Sequence, residues 1–319
     1  MEYLMVNTII GLDIGGTKTA IVEGTFKGVI LQRTEFPTEA KNPFQKTFPK
    51  IKSIINSIAN HSVEQNRKIK AISVSIGGPL RIDEGSIINP PHLPGWHNLP
   101  LKNILKETYP RWPVYIEHDG NAGALAEFYF GAGKNIQGLQ HLIFLTFGTG
   151  LGAGFIINGK ILHGASDTAG EVGHWRLSAN GPVGYGKQGS WEGFAAGTGL
   201  VNIAQELFPN KWPPNISIRE IVDIILEENS EGKLIIEKAG EWMGKGIALL
   251  IDALNPQIIV LGSLGVVLGD KILKPIHDIC QKESLPQAYN ICQIVPAALG
   301  KKIGDIASLM AVISNENFR

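Results

Sequence analysis

The 319-residue chain lacks the features of secreted, membrane-spanning and nucleic-acid-binding proteins. Its only cysteines are Cys280 and Cys292, which excludes a disulfide framework and fits a reducing compartment. Lys plus Arg and Asp plus Glu both number 29, and no long basic block is present, so no nucleic-acid partner is expected. Apolar runs such as residues 257–269 are broken by glycine and are too short to span a bilayer. The first residues have no basic segment or small-residue cleavage site, so we expect no secretory signal and a cytoplasmic protein without membrane partners.

The most informative stretch is residues 9–18, IIGLDIGGTK. A short apolar strand carries Asp13 at its end and then breaks into the turn Gly15–Thr17 before Lys18. Backbone amides of a glycine turn, a Thr hydroxyl and a Lys ammonium are phosphate donors, and a lone carboxylate ahead of them suits Mg2+. The β-branched residues after Lys18 predict a hairpin, whereas a Walker loop or a dinucleotide-binding turn requires a helix there. Those two kinds of site are therefore disfavoured.

A second stretch, residues 142–162, repeats this plan. An apolar strand leads into Gly148–Gly150, and the strand after it ends in the turn Asn158–Gly159, a strong hairpin signal. One such unit could be an ordinary tight hairpin. Two units predict two related lobes, each offering one phosphate-binding turn to a polyphosphate ligand.

Elsewhere the hydrophobic pattern alternates between strands and helices. It predicts strands at 71–76, 114–119 and 257–262, a Pro-rich loop at 88–100, an irregular stretch at 163–191, and helices beginning near Phe44 and at about 192–208, 217–229, 233–254 and 303–314. This alternation indicates an α/β fold, in which ligands gather at the carboxyl ends of strands. The residues predicted at such ends are Asp13, Gly77, Asp119, Gly148 and Gly262.

Asp119 has two interpretations from the residues alone. It could cap the helix that follows, which is at least as probable on this pattern as catalysis. Alternatively, a carboxylate opposite a phosphate-binding turn could act as the base in phosphoryl transfer to a hydroxyl. Glu171, His174 and Glu192 could likewise bind sugar hydroxyls, hold a metal or cap a loop, although residues 175–191 contain no Cys or His to complete a metal site.

The chain resembles the ROK family of sugar kinases. The motifs that carry this resemblance occur in the family's order and extend over nearly the whole chain: DIGGTK (13–18), GGP (77–79), PGW (94–96), EHDGNA (117–122), GTGLGAG (148–154), AGEVGH (169–174) and NPQIIVLG (255–262). The resemblance implies a two-lobed, actin-like (ribonuclease H-like) ATPase fold with an ATP and sugar cleft between the lobes. It also implies a first lobe of residues 1–120 joined by a terminal helix at about 300–319, a second lobe of residues 121–299, and a homodimer or homotetramer.

The resemblance assigns roles residue by residue. Asp119 would be the general base. ATP and Mg2+ would be bound by Asp13, Gly15, Gly16, Thr17, Lys18, Gly148, Thr149, Gly150, Gly152, Gly262 and Ser263. The sugar would be bound by Gly78, His118, Asp119, Glu171, His174 and Glu192.

The sequence departs from the family pattern at three places. Members commonly bind a structural zinc through the histidine that corresponds to His174 and three cysteines, but Val183, Tyr185 and Ser190 stand where the cysteines would fall. One histidine cannot hold a four-coordinate zinc, so we expect no structural zinc. His118 and His92 each replace a usual Asn near the sugar pocket, which bears on the identity of the sugar.

These features predict an ATP-dependent kinase of a hexose or hexose derivative, of the glucokinase type. A non-catalytic sugar-binding sensor of the same family is the alternative. A repressor is disfavoured, because repressors of the family carry a helix-turn-helix before the first phosphate motif and twelve residues precede Asp13 here.

Overall fold

The computed structural model of the protein describes residues 5–315. Its strands are β1 Val6–Ile14, β2 Lys18–Thr25, β3 Ile30–Pro37, β4 Arg67–Ile76, β5 Leu80–Arg81, β6 Ser86–Ile87, β7 Val114–His118, β8 Leu142–Leu145, β9 Ala153–Ile157, β10 Lys160–Ile161, β11 Val183–Gly184, β12 Lys187–Gln188, β13 Ile258–Leu261 and β14 Gln293–Pro296. Its α-helices are α1 Phe44–Glu64, α2 Leu101–Thr108, α3 Asp119–Phe130, α4 Trp191–Ala195, α5 Gly197–Leu207, α6 Ile218–Leu226, α7 Ser230–Leu254, α8 Leu264–Leu268, α9 Asp270–Glu283, α10 Pro286–Tyr289, α11 Ile303–Ala307 and α12 Met310–Ile313. Within residues 5–315, no helix has both the length and the apolar composition to cross a membrane.

The chain divides into two compact units. The first comprises the described residues up to Ala126, the short segment His163–Thr168 and the described residues from Lys301 onward. The second comprises Glu127–Leu162 and Ala169–Gly300. The first unit is therefore built from three separate stretches of chain.

The first unit is built on a five-stranded sheet with strand order β3-β2-β1-β4-β7. β1, β2 and β3 pair antiparallel, as the predicted hairpin requires, while β4 pairs in parallel with both β1 and β7. The predicted helix beginning at Phe44 is also confirmed: α1 buries Ile51, Ile55 and Ile58, which recur at helical spacing and belong to one core cluster with β1 and β4.

The second unit repeats this topology, with strand order β10-β9-β8-β13-β14. β8, β9 and β10 pair antiparallel, and β13 pairs in parallel with β8 and β14. The second strand–turn–hairpin unit predicted from the sequence is thereby confirmed. The core against this sheet includes Met243, Ile247 and Ile251 of α7, a helix that is capped by Asn229 and ends at Asn255 in the left-handed conformation.

Two helices that the sequence predicts as continuous are each interrupted in the structure. The helix predicted at 192–208 is two helices, because Ala196 is extended and the Gly197 amide turns to donate to the Gly148 carbonyl at 2.8 Å. The helix predicted near 303–314 is also two short helices, α11 and α12. The stretch predicted to be irregular contains the two-stranded sheet of β11 and β12.

Candidate functional site

The first glycine turn, at the end of β1, is held open by its neighbours. The Gly15 amide donates to the Lys18 carbonyl at 3.0 Å, and the Thr38 hydroxyl donates to the Gly15 carbonyl at 2.7 Å. The Thr38 amide also donates to the Thr17 carbonyl at 3.0 Å. The amides of Gly16 and Thr17 donate to no other residue in the part of the chain that the structure describes. The turn therefore presents two preformed N–H donors, the arrangement that binds anions.

The Pro-rich loop packs directly on this turn. A Cβ on Gly16 would lie 2.5 Å from the His92 carbonyl oxygen, so only glycine permits this approach. A cavity of about 80 Å³ lies there, lined by Gly15, Gly16, Gly77, Gly78, His92 and Asp119 among others. The structure thus brings the first turn, the GGP stretch and Asp119 together within the first unit.

Asp13 is a largely buried carboxylate at the end of β1. Burial first, and then the neighbouring carboxylates of Asp119 and Asp305, raise the pKa of Asp13 to about 6. The Lys18 ammonium and the Arg33 guanidinium act in the opposite direction but do not cancel the shift. An ionised Asp13 is therefore unfavourable in the free protein, and a cation beside it would relieve that cost.

Lys18 lies in a chain of ion pairs that the sequence did not predict. Its ammonium is 2.9 Å from Glu35, which also accepts a hydrogen bond from Arg33, and the Arg33 Nε contacts Asp305 at 2.8 Å. The Lys18 side chain is 61% exposed. Solvent screens exposed pairs of this kind, so Lys18 can exchange Glu35 for another anion at little cost.

Asp119 follows β7 and opens α3. Its Oδ1 accepts a hydrogen bond from the adjacent Gly120 amide at 2.7 Å and lies 3.2 Å from His118 Nδ1. This is not the bond to the second or third helical amide that defines an N-cap. The side chain is 54% exposed, and its Oδ2 accepts no hydrogen bond from any residue in 5–315. One carboxylate oxygen is therefore available to a ligand.

The imidazole of His118 covers the GGP stretch. A Cβ on Gly78 would lie 2.8 Å from His118 Cδ2, so the ring rests directly against the Gly78 backbone. Gly78, His118 and Asp119, three residues assigned to the sugar, are thus neighbours in the structure.

Glu117 fixes the strand end from behind, a role that the sequence did not reveal. Its Oε1 accepts hydrogen bonds from the His118 amide at 2.9 Å and from Asn121 Nδ2 at 3.0 Å. Its Oε2 lies 2.9 Å from His163 Nε2, and this hydrogen bond raises the pKa of His163. His163 belongs to the short segment that returns to the first unit, and it lies 46 positions from Glu117 in the chain.

The second glycine turn, in the second unit, follows β8. The Gly148 amide donates to the Gly150 carbonyl at 3.1 Å, and the Gly152 amide donates to Thr146 Oγ1 at 2.9 Å. Within residues 5–315, the amides of Thr149 and Gly150 donate to no other residue. The second turn therefore also offers two N–H donors.

Glu192 supports the second turn from below. Its Oε2 accepts a hydrogen bond from the Leu151 amide at 3.0 Å, and a Cβ on Gly150 would lie 2.7 Å from the same oxygen. The carboxylate is therefore part of the structure that supports the turn.

The AGEVGH stretch packs against the same turn. A Cβ on Gly173 would lie 2.2 Å from the Leu151 carbonyl oxygen, which leaves no space for any other residue. Glu171 precedes a short 3-10 helix, Val172–His174, whose last amide donates to the Glu171 carbonyl at 3.2 Å. Gly173, between Glu171 and His174 in sequence, thus packs against Leu151 after the second turn and against Glu192.

Gly262 and Ser263 reach the second turn at the end of β13. The Leu264 amide donates to the Phe147 carbonyl at 2.7 Å, and Ser263 Oγ would be 3.7 Å from a Cβ on Gly148. Ser263 adopts a φ of 39°, a strained value for a non-glycine residue.

The positions that correspond to zinc ligands do not fit that metal. Val183 is exposed, and the Tyr185 ring lies 5.3 Å from the His174 ring. Ser190 is buried and engages backbone groups, donating to the Gly184 carbonyl at 2.8 Å and accepting from the Gly193 amide at 3.2 Å. No group of three His, Cys, Asp or Glu residues within 5–315 could hold a metal ion.

The chain is similar to known proteins over most of its length. The model of the ROK family matches residues 9–312. A glucokinase of Halalkalibacterium halodurans is 29% identical, over 97% of this chain and 96% of that protein. A xylose repressor of Caldicellulosiruptor bescii is 28% identical, over 90% of this chain and 73% of that protein.

A solved structure extends the comparison to the fold. A ROK family glucokinase from Streptomyces griseus, in complex with glucose and AMPPNP, superimposes with a TM-score of 0.75 at 27% identity, over 94% of this chain and 97% of that chain. The family match and the structural similarity both extend over almost the entire chain. The chain belongs to the ROK family, and its fold is the actin-like ATPase fold of ROK hexokinases and glucokinases.

Proposed function

We propose that this protein is an ATP-dependent kinase that phosphorylates a hexose or hexose derivative. The observation that carries the proposal is Asp119: a half-exposed carboxylate with one unengaged oxygen, on the cavity that the first glycine turn also lines. The similarity to glucokinases supports sugar kinase activity in general.

The residues present fit a nucleotide's phosphates and Mg2+. Each glycine turn has two amides without a partner among the described residues, and such N–H groups bind phosphate oxygens. Asp13 offers one carboxylate, and Mg2+ takes one or two carboxylates and completes its shell with water and phosphate oxygens. When bound, Mg-ATP supplies the phosphoryl group and the metal neutralises its developing charge. Gly262 and Ser263 would border the adenosine.

Asp119 would accept the proton of the attacking sugar hydroxyl. The Gly120 amide holds Oδ1 and leaves Oδ2 to face that hydroxyl. Glu117 and Asn121 fix the end of β7, so the base is held by a rigid strand. Gly78, His118, Glu171, His174 and Glu192 would bind and orient the other hydroxyls.

The test is a coupled ADP-release assay with Mg-ATP and a panel of glucose, mannose, fructose, allose, N-acetylglucosamine and N-acetylmannosamine, with polyphosphate as an alternative donor. We expect sugar-dependent turnover with one or two members.

Asp119→Asn keeps the shape but removes the base, so kcat should fall by roughly 10²–10⁴-fold while sugar and ATP still bind. Asp223→Asn, an exposed carboxylate on α6, serves as the control and should leave kcat unchanged. Full turnover by Asp119→Asn would mean that Asp119 only supports the helix.

A non-catalytic sugar sensor is the second candidate, and the similarity to a xylose repressor favours it. It predicts sugar binding by calorimetry without ADP release from any panel member. Sugar-dependent ADP release by the wild-type protein would exclude it.

A further inference from the structure

The turn between β11 and β12 contains an aromatic residue where the backbone disfavours one. Tyr185 and Gly186 form a two-residue hairpin loop with φ values of 54° and 69°. Two central residues at positive φ are typical of type I′ turns, which strongly favour Asn, Asp or Gly. A bulky side chain in the left-handed region costs roughly 1–2 kcal/mol. Strain of this kind concentrates at functional sites and persists where surrounding contacts hold the residue in place.

The Tyr185 side chain contacts two residues of the proposed sugar site. Its ring meets the His174 ring edge-to-face, with centroids 5.3 Å apart and planes at 70°. Burial first, and then the nearby carboxylates of Glu171 and Glu192, raise the pKa of Tyr185. The phenol therefore keeps its proton, which it can donate to the neighbouring Glu171 carboxylate.

The hairpin that carries Tyr185 is anchored on both sides. The Ser190 hydroxyl donates to the Gly184 carbonyl at 2.8 Å and accepts from the Gly184 amide at 3.1 Å. The Lys187 ammonium donates to the His174 carbonyl at 2.9 Å. Tyr185 is thus held against Glu171 and His174 by a fixed loop. Val183, at the start of the same hairpin, is 64% exposed.

We propose that Tyr185 is a positioning residue that sets the affinity for the sugar. Its hydroxyl holds one oxygen of Glu171 so that the other faces the sugar, and its ring fixes the orientation of the His174 imidazole. This inference rests on the proposed function, since it assumes that Glu171 and His174 bind the sugar. Side chains that are already ordered lose less entropy when a ligand binds. Loss of the Tyr185 contacts therefore weakens sugar binding and leaves ATP binding unchanged.

The experiment measures the Kd of glucose and of the other panel sugars by calorimetry, KM for sugar and for Mg-ATP, kcat, and Tm. Tyr185→Phe removes only the hydroxyl, so sugar Kd and KM should rise about 2–10-fold, the equivalent of one hydrogen bond. Tyr185→Asn places a preferred residue in the turn, so Tm should be unchanged or higher while sugar Kd rises further, to roughly 10-fold or more. Val183→Ala is the matched control in the same hairpin and should change no constant.

Glu171→Gln separates a positioning role from a general effect. If Tyr185 acts through Glu171, Tyr185→Phe should add little to the sugar Kd in the Glu171→Gln background. Unchanged sugar Kd in Tyr185→Phe and Tyr185→Asn would overturn the inference, as would equal losses for sugar and ATP with a lowered Tm. Sugar binding by the wild type without turnover would contradict the kinase proposal and leave this test intact, whereas no binding of any panel sugar would overturn both.

Discussion

The two glycine turns share one backbone design and differ in charge. In sequence, Leu12-Asp13-Ile14-Gly15 aligns with Leu145-Thr146-Phe147-Gly148, and each segment leads out of a central strand in a sheet of the same order. Both turns leave two amides unengaged within the described residues. Where the first turn has Asp13, however, the second has Thr146.

This exchange separates two tasks. Thr146 holds the Gly152 amide through its neutral hydroxyl, and the carboxylate at the second turn, Glu192, comes from a separate helix and holds the Leu151 amide. Asp13 instead remains a buried carboxylate whose pKa rises to about 6. The duplicated glycine turn therefore has a carboxylate at the end of its leading strand in only one copy.

The turns also differ in how tightly they are packed. A Cβ on Gly16 would meet the His92 carbonyl at 2.5 Å, whereas a Cβ on Gly148 would have its nearest neighbour, Ser263 Oγ, at 3.7 Å. Packing therefore requires glycine at position 16 but not at position 148.

The largest effect is expected from Asp13→Asn, which gives the first turn the neutral character of the second. Loss of the carboxylate should lower kcat/KM by roughly 10²-fold or more, because the group that would hold Mg2+ near the transferred phosphoryl group is gone. The same change should stabilise the free protein. The carboxyl of Asp13 is a weaker acid in the folded protein than in the unfolded chain, so its contribution to stability is complete below about pH 4 and is lost as the pH rises through about 6.

Thermal and urea unfolding at two pH values check this prediction. We expect Asp13→Asn to exceed the wild type by roughly 1–3 kcal/mol at about pH 8 and to match it at about pH 4. Asp223→Asn should show no such pH dependence. If the difference in stability between Asp13→Asn and the wild type were the same at both pH values, the pKa of Asp13 would not be raised in the folded protein.

The next largest effect contrasts Gly16→Ala with Gly148→Ala. The added methyl of Gly16→Ala meets backbone, so the free energy of unfolding should fall by about 1–3 kcal/mol. Gly148→Ala meets ordinary van der Waals contact, so its free energy of unfolding should stay within about 0.5 kcal/mol of the wild type. Equal losses in urea unfolding would contradict the difference in packing.

The smallest effect is expected from Thr146→Val, which leaves the Gly152 amide without its acceptor. The free energy of unfolding should fall by about 1 kcal/mol, and KM for Mg-ATP should rise modestly because the second turn loosens. Thr146→Ser keeps the hydroxyl and should restore both values. A Thr146→Ser variant as impaired as Thr146→Val would point to the methyl group instead.

Local patterns predicted much of the fold and of the candidate site. The two strand–turn–hairpin units, the helix at Phe44 and the position of Asp119 after β7 all follow from periodicity and turn chemistry within a few residues. What local patterns could not supply are contacts between distant residues. Arg33 and Asp305 are 272 positions apart, and His163 reaches Glu117 only because a short segment returns to the first unit.

The break at Ala196 has the same origin. A continuous helix agrees with the side-chain pattern of residues 192–208, but the Gly148 carbonyl, 49 positions earlier, captures the Gly197 amide. The proximity of Tyr185 to His174 follows from the family's zinc motif, but the stacking of the two rings edge-to-face does not.

The three-segment construction of the first unit limits how this protein can be divided. Neither unit is a single continuous stretch of chain. The first unit combines the described residues up to 126, residues 163–168 and the described residues from 301 onward. A single proteolytic nick between 127 and 162 would leave part of the first unit on each fragment. Gene fragments cut at such a point would have to be co-expressed and reassociate, so a duplicated architecture does not give two separable halves.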